Sequence, residues 1–229
     1  MKVLIFGATG MVGQGVLREC LLDPGISQVV ALVREPSLPA HSKLREVVHT
    51  DFFDYRVVEP ELTGLDACFF CLGVSAAGLS EAEYRRLTHD LTLAAAETLA
   101  RLNPAMTFVY VSGAGTDSTE QGRTMWARVK GRTENALRRL PFQAVYLFRP
   151  GLIQPLHGIR SRTGWYQAIY TVLGPCFPLL RRLFPKAILT TEELGRAMLC
   201  VARDGAPTAI LEAADLIALG ASPARAAAP

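Results

Sequence analysis

Gly7, Gly10 and Gly13 recur at every third position in Gly7-Ala8-Thr9-Gly10-Met11-Val12-Gly13, directly after the apolar run Lys2 to Phe6. The run reads as a strand, and residues 11 to 22 read as a helix, with Val12, Val16 and Cys20 in one row. A glycine turn between a strand and a helix is built for an anion. The turn can be tight, the backbone can approach a pyrophosphate closely, and its charge then lies against the helix N-terminus. The plainer alternative is a loop that only turns sharply.

Four further positions have the residue types for chemistry. Ser112 stands at the carboxyl end of a predicted strand, where open sheets hold their ligands, although it is also a natural turn serine in Ser112-Gly113-Ala114-Gly115. Trp126 and Lys130 lie four residues apart on one face of a predicted helix. Position, not charge, recommends Lys130, because Arg128, Arg132, Arg138 and Arg139 make that helix generally basic and a lone lysine there is ordinarily solvated. Arg34 follows a predicted strand, 28 to 33, and suits a 2′-phosphate, which favours NADP(H) over NAD(H). Glu35 beside it would reverse that preference if the register moved by one residue.

The three-and-three glycine spacing resembles the short-chain dehydrogenase/reductase superfamily, particularly its atypical and extended members related to nucleotide-sugar epimerases. Cys71-Leu72-Gly73, Tyr110-Val111-Ser112 and Arg149-Pro150-Gly151 resemble the ends of its fourth, fifth and sixth strands. The resemblance covers at least residues 1 to 155, and Lys186 to Met198 is similar to the group's closing helix region. Within it, Ser112 to Glu134 is closest to a small oxidoreductase-like subgroup that includes a tumour-suppressor protein binding NADPH. The resemblance implies a role for each matching position. Gly7, Ala8, Thr9, Gly10, Met11, Val12 and Gly13 would hold the cofactor's diphosphate, Asp51 its adenine amino group, and Leu72 and Gly73 its adenosine ribose. Pro150 and Leu152 would border the nicotinamide, Lys130 would hold the nicotinamide ribose, and Ser112 would be the catalytic serine.

One departure matters. The superfamily pairs a tyrosine with the lysine four residues later, and here Trp126-Ala127-Arg128-Val129-Lys130 puts tryptophan at the tyrosine position. An indole N–H cannot exchange a proton near neutral pH as a phenol does. Three accounts of Trp126 stand: a cofactor-binding protein without turnover, a pocket residue of an enzyme that takes its proton from water, Ser112 or another side chain, or a core residue outside the site. The functional reading is an NAD(P)(H)-binding oxidoreductase-like protein acting on an apolar or aromatic small molecule. A catalytically inactive regulatory or scaffold protein is the alternative, and a nucleotide-sugar epimerase or dehydratase a weaker one, because that chemistry relies on the missing tyrosine.

The elements that position these residues read as an α/β, Rossmann-type, doubly wound parallel sheet with a small, reduced C-terminal substrate-binding appendage. Predicted strands occupy 2–6, 28–33, 46–50, 67–72, 106–112 and 144–148, with 209–213 as a small addition. Predicted helices occupy 11–22, 81–102, 124–140 and 191–203. Ser80 with Glu83 and Thr190 with Glu193 have the spacing of capping boxes, and Asp215 suits the cap of one last turn. Residues 1–219 read as a single NAD(P)-binding domain, with 151–189, carrying Trp165, Tyr166, Phe177 and Phe184, as a substrate lid or, alternatively, a dimer face, and 220–229 as a flexible tail.

Composition excludes other classes. The 229 residues are 50% hydrophobic and 20% charged, which excludes a disordered or repetitive chain. Twenty-four basic against 21 acidic residues give +3, too weak a field for nucleic acid. Five scattered cysteines suggest reduced thiols, and the short apolar start does not read as a signal peptide, so a cytoplasmic location is expected. Cys68 and Cys71 have a metal-like spacing, but a strand would send them to opposite faces as buried apolar residues. The four histidines form no close pair, and no metal site is expected. Thr163 to Leu180 is uncharged, but its glycine and prolines argue against stable membrane insertion. A monomer or homodimer binding a small molecule is the expected state.

Overall fold

The computed structural model describes residues 1–159, 177–184 and 186–221. β1 (Lys2–Phe6) and β2 (Gln28–Val33) flank α1 (Met11–Leu22), and β3 (Leu44–Val48) and β4 (Ala67–Phe70) come next. One long helical stretch then comprises α2 (Glu81–Arg85), a π turn (Arg86–Asp90) and α3 (Leu91–Leu102). β5 (Thr107–Val111), α4 (Met125–Leu137) and β6 (Ala144–Arg149) complete the main run. The remainder comprises β7 (Leu152–Gln154), α5 (Phe177–Leu183), β8 (Ile188–Thr190), α6 (Thr191–Asp204), β9 (Ile210–Glu212) and α7 (Ala213–Ala221).

Seven strands form one parallel sheet in the order β3-β2-β1-β4-β5-β6-β9, and β7 pairs with β8 in a separate parallel ribbon. The chain winds outward from β1 to β3, returns, and winds the other way from β4. That reversal opens a crevice at the carboxyl ends of β1 and β4.

The strands are apolar on both faces because helices cover both. Val3, Ile5, Val29, Phe69 and Val109 pack with α1 and α6, whereas Leu4, Phe6, Val30, Phe70 and Phe108 pack with α3 and α4. Cys68 belongs to the second layer and Cys71 packs against the first, as their strand spacing predicts. Burial pushes the thiols of Cys20, Cys68 and Cys71 up, which keeps them inert.

Both capping boxes are present: Ser80 N–H donates to Glu83 at 2.9 Å and Thr190 N–H to Glu193 at 2.6 Å, each answered by the reciprocal bond. Several element ends differ from expectation. β3 starts at Leu44, two residues early, because Val29 to Val33 of β2 pair with Leu44 to Val48. β4 ends at Phe70 and β5 at Val111, where the backbone leaves the ladder to form the site loops. α4 stops at Leu137, three residues short. α7 is a full helix to Ala221 and not a single turn, so the predicted tail begins inside it, with Gly220 buried. Residues 160–176 and 222–229 lie outside the described residues, and with them most of the predicted lid, including Trp165 and Tyr166, and most of the uncharged stretch. Among the described residues, no helix is long and apolar enough to cross a membrane.

α1 and α6 cross closely at two glycines. A methyl at Gly15 would lie 2.6 Å from Thr191 Cβ, and one at Gly195 would lie 2.8 Å from Glu19 Cγ. Gly15→Ala therefore forces the helices apart, an overpacking cost of about 1–3 kcal/mol. Calorimetry should show Tm falling by about 2–4 °C for each kcal/mol in a chain of this size. An unchanged Tm would contradict this packing.

Candidate functional site

The glycine turn is defined by what cannot fit there. Gly7 has φ +73°, and a methyl on it would meet the Cys71 carbonyl and Leu72 nitrogen at 2.9 Å. A methyl on Gly13 would lie 2.0 Å from the Gly7 carbonyl oxygen. Gly10 N–H closes the turn on Gly7 O at 2.9 Å. Gly10 is also the N-cap of α1, so no side chain caps the helix, and its first turn holds no acid. The leading N–H groups of α1 have no acceptor within the helix. Backbone donors, a positive helix end and absent side chains together make a cradle that an anion fits.

Ala8 is buried behind the turn, Met11 and Val12 are half-buried in the first turn of α1, and Thr9 accepts from Gln14 through its carbonyl at 2.9 Å. Thr9 also lines a cavity of about 360 Å³ with Val33, Arg34, Glu35 and Ser37. Arg34 and Glu35 are both exposed, and neither has an ion-pair partner among the described residues. A larger cavity of about 550 Å³ shares Thr9 and Ser37 and is lined also by Leu17 and Leu21 of α1, Leu38 and His157. Leu72 and Gly73 follow β4 beside Gly7. Asp51 is exposed beyond β3, its carboxylate accepting from Phe53 N–H at 3.0 Å in a local turn.

β5 and β6 bring the second half of the site. Ser112 N–H donates to Phe148 O, and Ala114 N–H donates to the carbonyl of buried Pro150, each at 2.9 Å. Leu152 follows in β7. With neighbouring strands roughly 4.8 Å apart, the end of β5 lies about 10 Å across the sheet from the end of β1. Lys130 Nζ donates to the Ser112 carbonyl, and a methyl on Gly113 would lie 3.8 Å from it. A methyl on Gly115 would lie 3.5 Å from Trp126 Cη2. Trp126 and Lys130 thus face one loop, Gly113 to Gly115. Trp126 is half-buried at that rim, so of its three accounts the core residue does not fit.

Ser112 is placed differently from its expected role. Its side chain is 3% exposed and donates to Glu134 Oε1 at 2.6 Å, with the Phe148 carbonyl at 3.1 Å as a second acceptor. Glu134, 1% exposed, also receives Arg149 Nε at 3.0 Å and Nη2 in a fork, and Arg149 reaches on to Ser118 and Glu212. The hydroxyl is therefore a strut joining β5 to α4, not a group turned towards a ligand. The sequence reading missed Glu134, although its spacing of four from Lys130 on one helix face was visible. Among the described residues, no group of three or more His, Cys, Asp or Glu is arranged to hold a metal.

Burial pushes the Lys130 ammonium down to about 8, while nearby Glu134 pulls it up. The unfolded chain binds this proton up to about 10.4, so the folded chain carries the ammonium at a cost that is full below pH 8 and fades above it. Lys130→Met should raise unfolding stability by on the order of 3 kcal/mol at pH 7, with the gain vanishing near pH ~10.4. Denaturant titrations at both pH values test this, and a loss of stability at pH 7 would contradict it.

Against known proteins, the NAD(P)H-binding family profile matches residues 7–152. "Protein fmp52, mitochondrial" of Emericella nidulans is 32% identical over 159 residues, 66% of each chain, so this chain spans just under two thirds of that relative. The Saccharomyces cerevisiae "Protein FMP52, mitochondrial" is 31% identical over 166 residues, 71% of this chain and 69% of the other. "Protein HTATIP2" of Rattus norvegicus is 27% identical over 66% of this chain and 62% of its own length. Among solved structures, a dTDP-glucose 4,6-dehydratase from Streptomyces venezuelae with bound NAD and TYD superposes with TM-score 0.65 at 17% identity, covering 93% of this chain and 75% of that one. A short-chain dehydrogenase/reductase family oxidoreductase from Burkholderia thailandensis also gives 0.65, at 16% identity, covering 92% and 89%. These two likenesses are of fold. The cytoplasmic expectation is overturned, since several relatives are named as mitochondrial proteins. Reduced thiols mark a reducing compartment and do not say which one. With the glycine turn, the reversed sheet and the match from Gly7 to Leu152 in agreement, the chain belongs to the NAD(P)H-binding family and has a Rossmann-type fold.

Proposed function

We propose that this chain binds NADP(H) in preference to NAD(H) and works as an oxidoreductase on an apolar or aromatic small molecule. The observation that carries the reading is the side-chain-free turn Gly7 to Gly13 against an uncapped α1. Its backbone N–H groups would hold the diphosphate. Arg34, with Thr9 and Ser37 in the adjoining cavity, would take the 2′-phosphate, a role suited to an arginine without an ion-pair partner among the described residues. Leu72 and Gly73 would border the adenosine ribose, Asp51 the adenine, Lys130 the second ribose, and Pro150 and Leu152 the nicotinamide. A bound nicotinamide supplies or accepts hydride; the protein orients it and shields the reacting atoms from water. Residues 1–219 form one cofactor-binding unit in this reading, supported by α6 packing on α1 and β9 joining the main sheet.

A second reading has a specific observation behind it. With Trp126 at the rim and the Ser112 hydroxyl held by Glu134, neither group that the superfamily uses on its substrate is available here. A protein that binds the cofactor and regulates or scaffolds without turnover fits the same geometry.

Cofactor titrations separate the parts of this reading. NADPH should bind more tightly than NADH, and Arg34→Ala should remove most of the difference, a loss of about tenfold or more for one charge-assisted pair. Gly13→Val should abolish binding of both and also lower Tm, because its β carbon would strike the Gly7 carbonyl oxygen at 2.0 Å and displace α1. Equal affinities in the wild type would remove the case for Arg34, and a Gly13→Val protein that still bound would remove the case for the turn.

A further inference from the structure

We infer that Lys130 is the proton donor of this site, taking over from the phenol that Trp126 replaces. This deepens the proposed function and rests on its reductase reading. A carbonyl reduced by hydride needs a proton at its oxygen, from a group that titrates near the working pH and reaches the reacting atoms.

The Trp126 indole does not ionise near neutrality. The Ser112 hydroxyl is committed to Glu134, and Glu134 is enclosed by Ser112 and the Arg149 fork. Tyr110 is buried in the sheet layer beneath, its phenol pushed far up by burial. Thr116 donates its hydroxyl to Gly113 O at 2.8 Å. Lys130 Nζ remains. It touches the Ser112 carbonyl, lies beside Gly113, and spends one of three protons on that carbonyl.

The surroundings of Nζ set its charge. From β5 and its loop it meets main chain. From α4 it meets Glu134 one turn on, while Arg128 of the same helix is turned away to Glu81 of α2. From β6, Arg149 reaches Glu134 and not the amine. Asp117 in the same loop has its carboxylate filled by Thr119 and Gly122. Burial and Glu134 therefore leave an ammonium that loses its proton at about pH 8, charged at neutrality and acidic enough to give the proton up. With a reduced nicotinamide bound, the carbonyl carbon would gain its hydride, and the nicotinamide would be left oxidised. The Nζ–H bond breaks with its electron pair staying on nitrogen, an O–H bond forms on the alcohol, and water restores the ammonium. Glu134 is a positioning residue in this step.

Lys130→Arg provides the test, because guanidinium keeps the cation and its hydrogen bonds but does not release a proton. The readouts are NADPH binding by fluorescence and the pH profile of 4-nitrobenzaldehyde reduction. Wild-type kcat should fall as pH rises past about 8. Lys130→Arg should bind NADPH close to the wild-type level, lose about a hundredfold or more in kcat, and lack that alkaline limb. Glu134→Gln should move the limb to lower pH, which decides the matter if Lys130→Arg fails to fold. Lys130→Arg turning over like the wild type, or a limb that Glu134→Gln leaves in place, would overturn the assignment of Lys130 alone. A wild type that binds NADPH yet reduces no aldehyde at any pH would overturn the reductase reading and this inference with it.

Discussion

Gly13 brings its α carbon to a place where even a methyl group would strike the Gly7 carbonyl oxygen at 2.0 Å, and Gly7 does the same against the backbone leaving β4. This close approach fixes where α1 starts and how its N-terminus faces the sheet. Because α1 also crosses α6 through Gly15 and Gly195, the same contact locates the far layer. A side chain at Gly7 or Gly13 would fill the space and move the helix axis. The sheet's reversal beside β1 then makes a crevice of the surface left open.

The second half of the site rests on buried charge. Enclosing a carboxylate at 1% exposure costs several kcal/mol unless its lone pairs are filled, and Glu134 has them filled by Ser112 and the two-pronged Arg149. The network ties β5, α4, β6 and, through Glu212, β9 at one level. Its consequence for Lys130 is geometric and electrostatic together. The Ser112 carbonyl aims the amine, and the carboxylate one turn away offsets part of the cost of burying it. A lysine held in this way is expensive for folding.

Most of the fold was legible because it follows from local patterns. The apolar runs of β1, β2 and β6 and the two capping boxes each carry their own signal. Strand ends were less legible, since β3 is placed by its pairing with β2 and β4 by where the chain must leave Phe70 for the site loop. The glycine turn was readable at residue level, because glycine spacing after a strand has few other uses. Ser112 was readable as a position but not as an orientation. Which way a hydroxyl turns depends on Glu134, 22 residues away, and no local pattern reports that. The β7–β8 ribbon escaped because three-residue strands carry no period. Location failed for a different reason: cysteine usage reports redox state and not address.

The central claim is that the backbone of the turn after β1 carries the cofactor's diphosphate. Backbone amide resonances of uniformly ¹⁵N-labelled protein, followed during titration with NADPH, test it without any substitution. The largest shifts should fall on Gly10, Met11, Val12 and Gly13, with smaller ones at Leu72, Gly73 and Gly113. Saturation with NADPH that left the Gly10 to Gly13 amides unmoved would contradict the account.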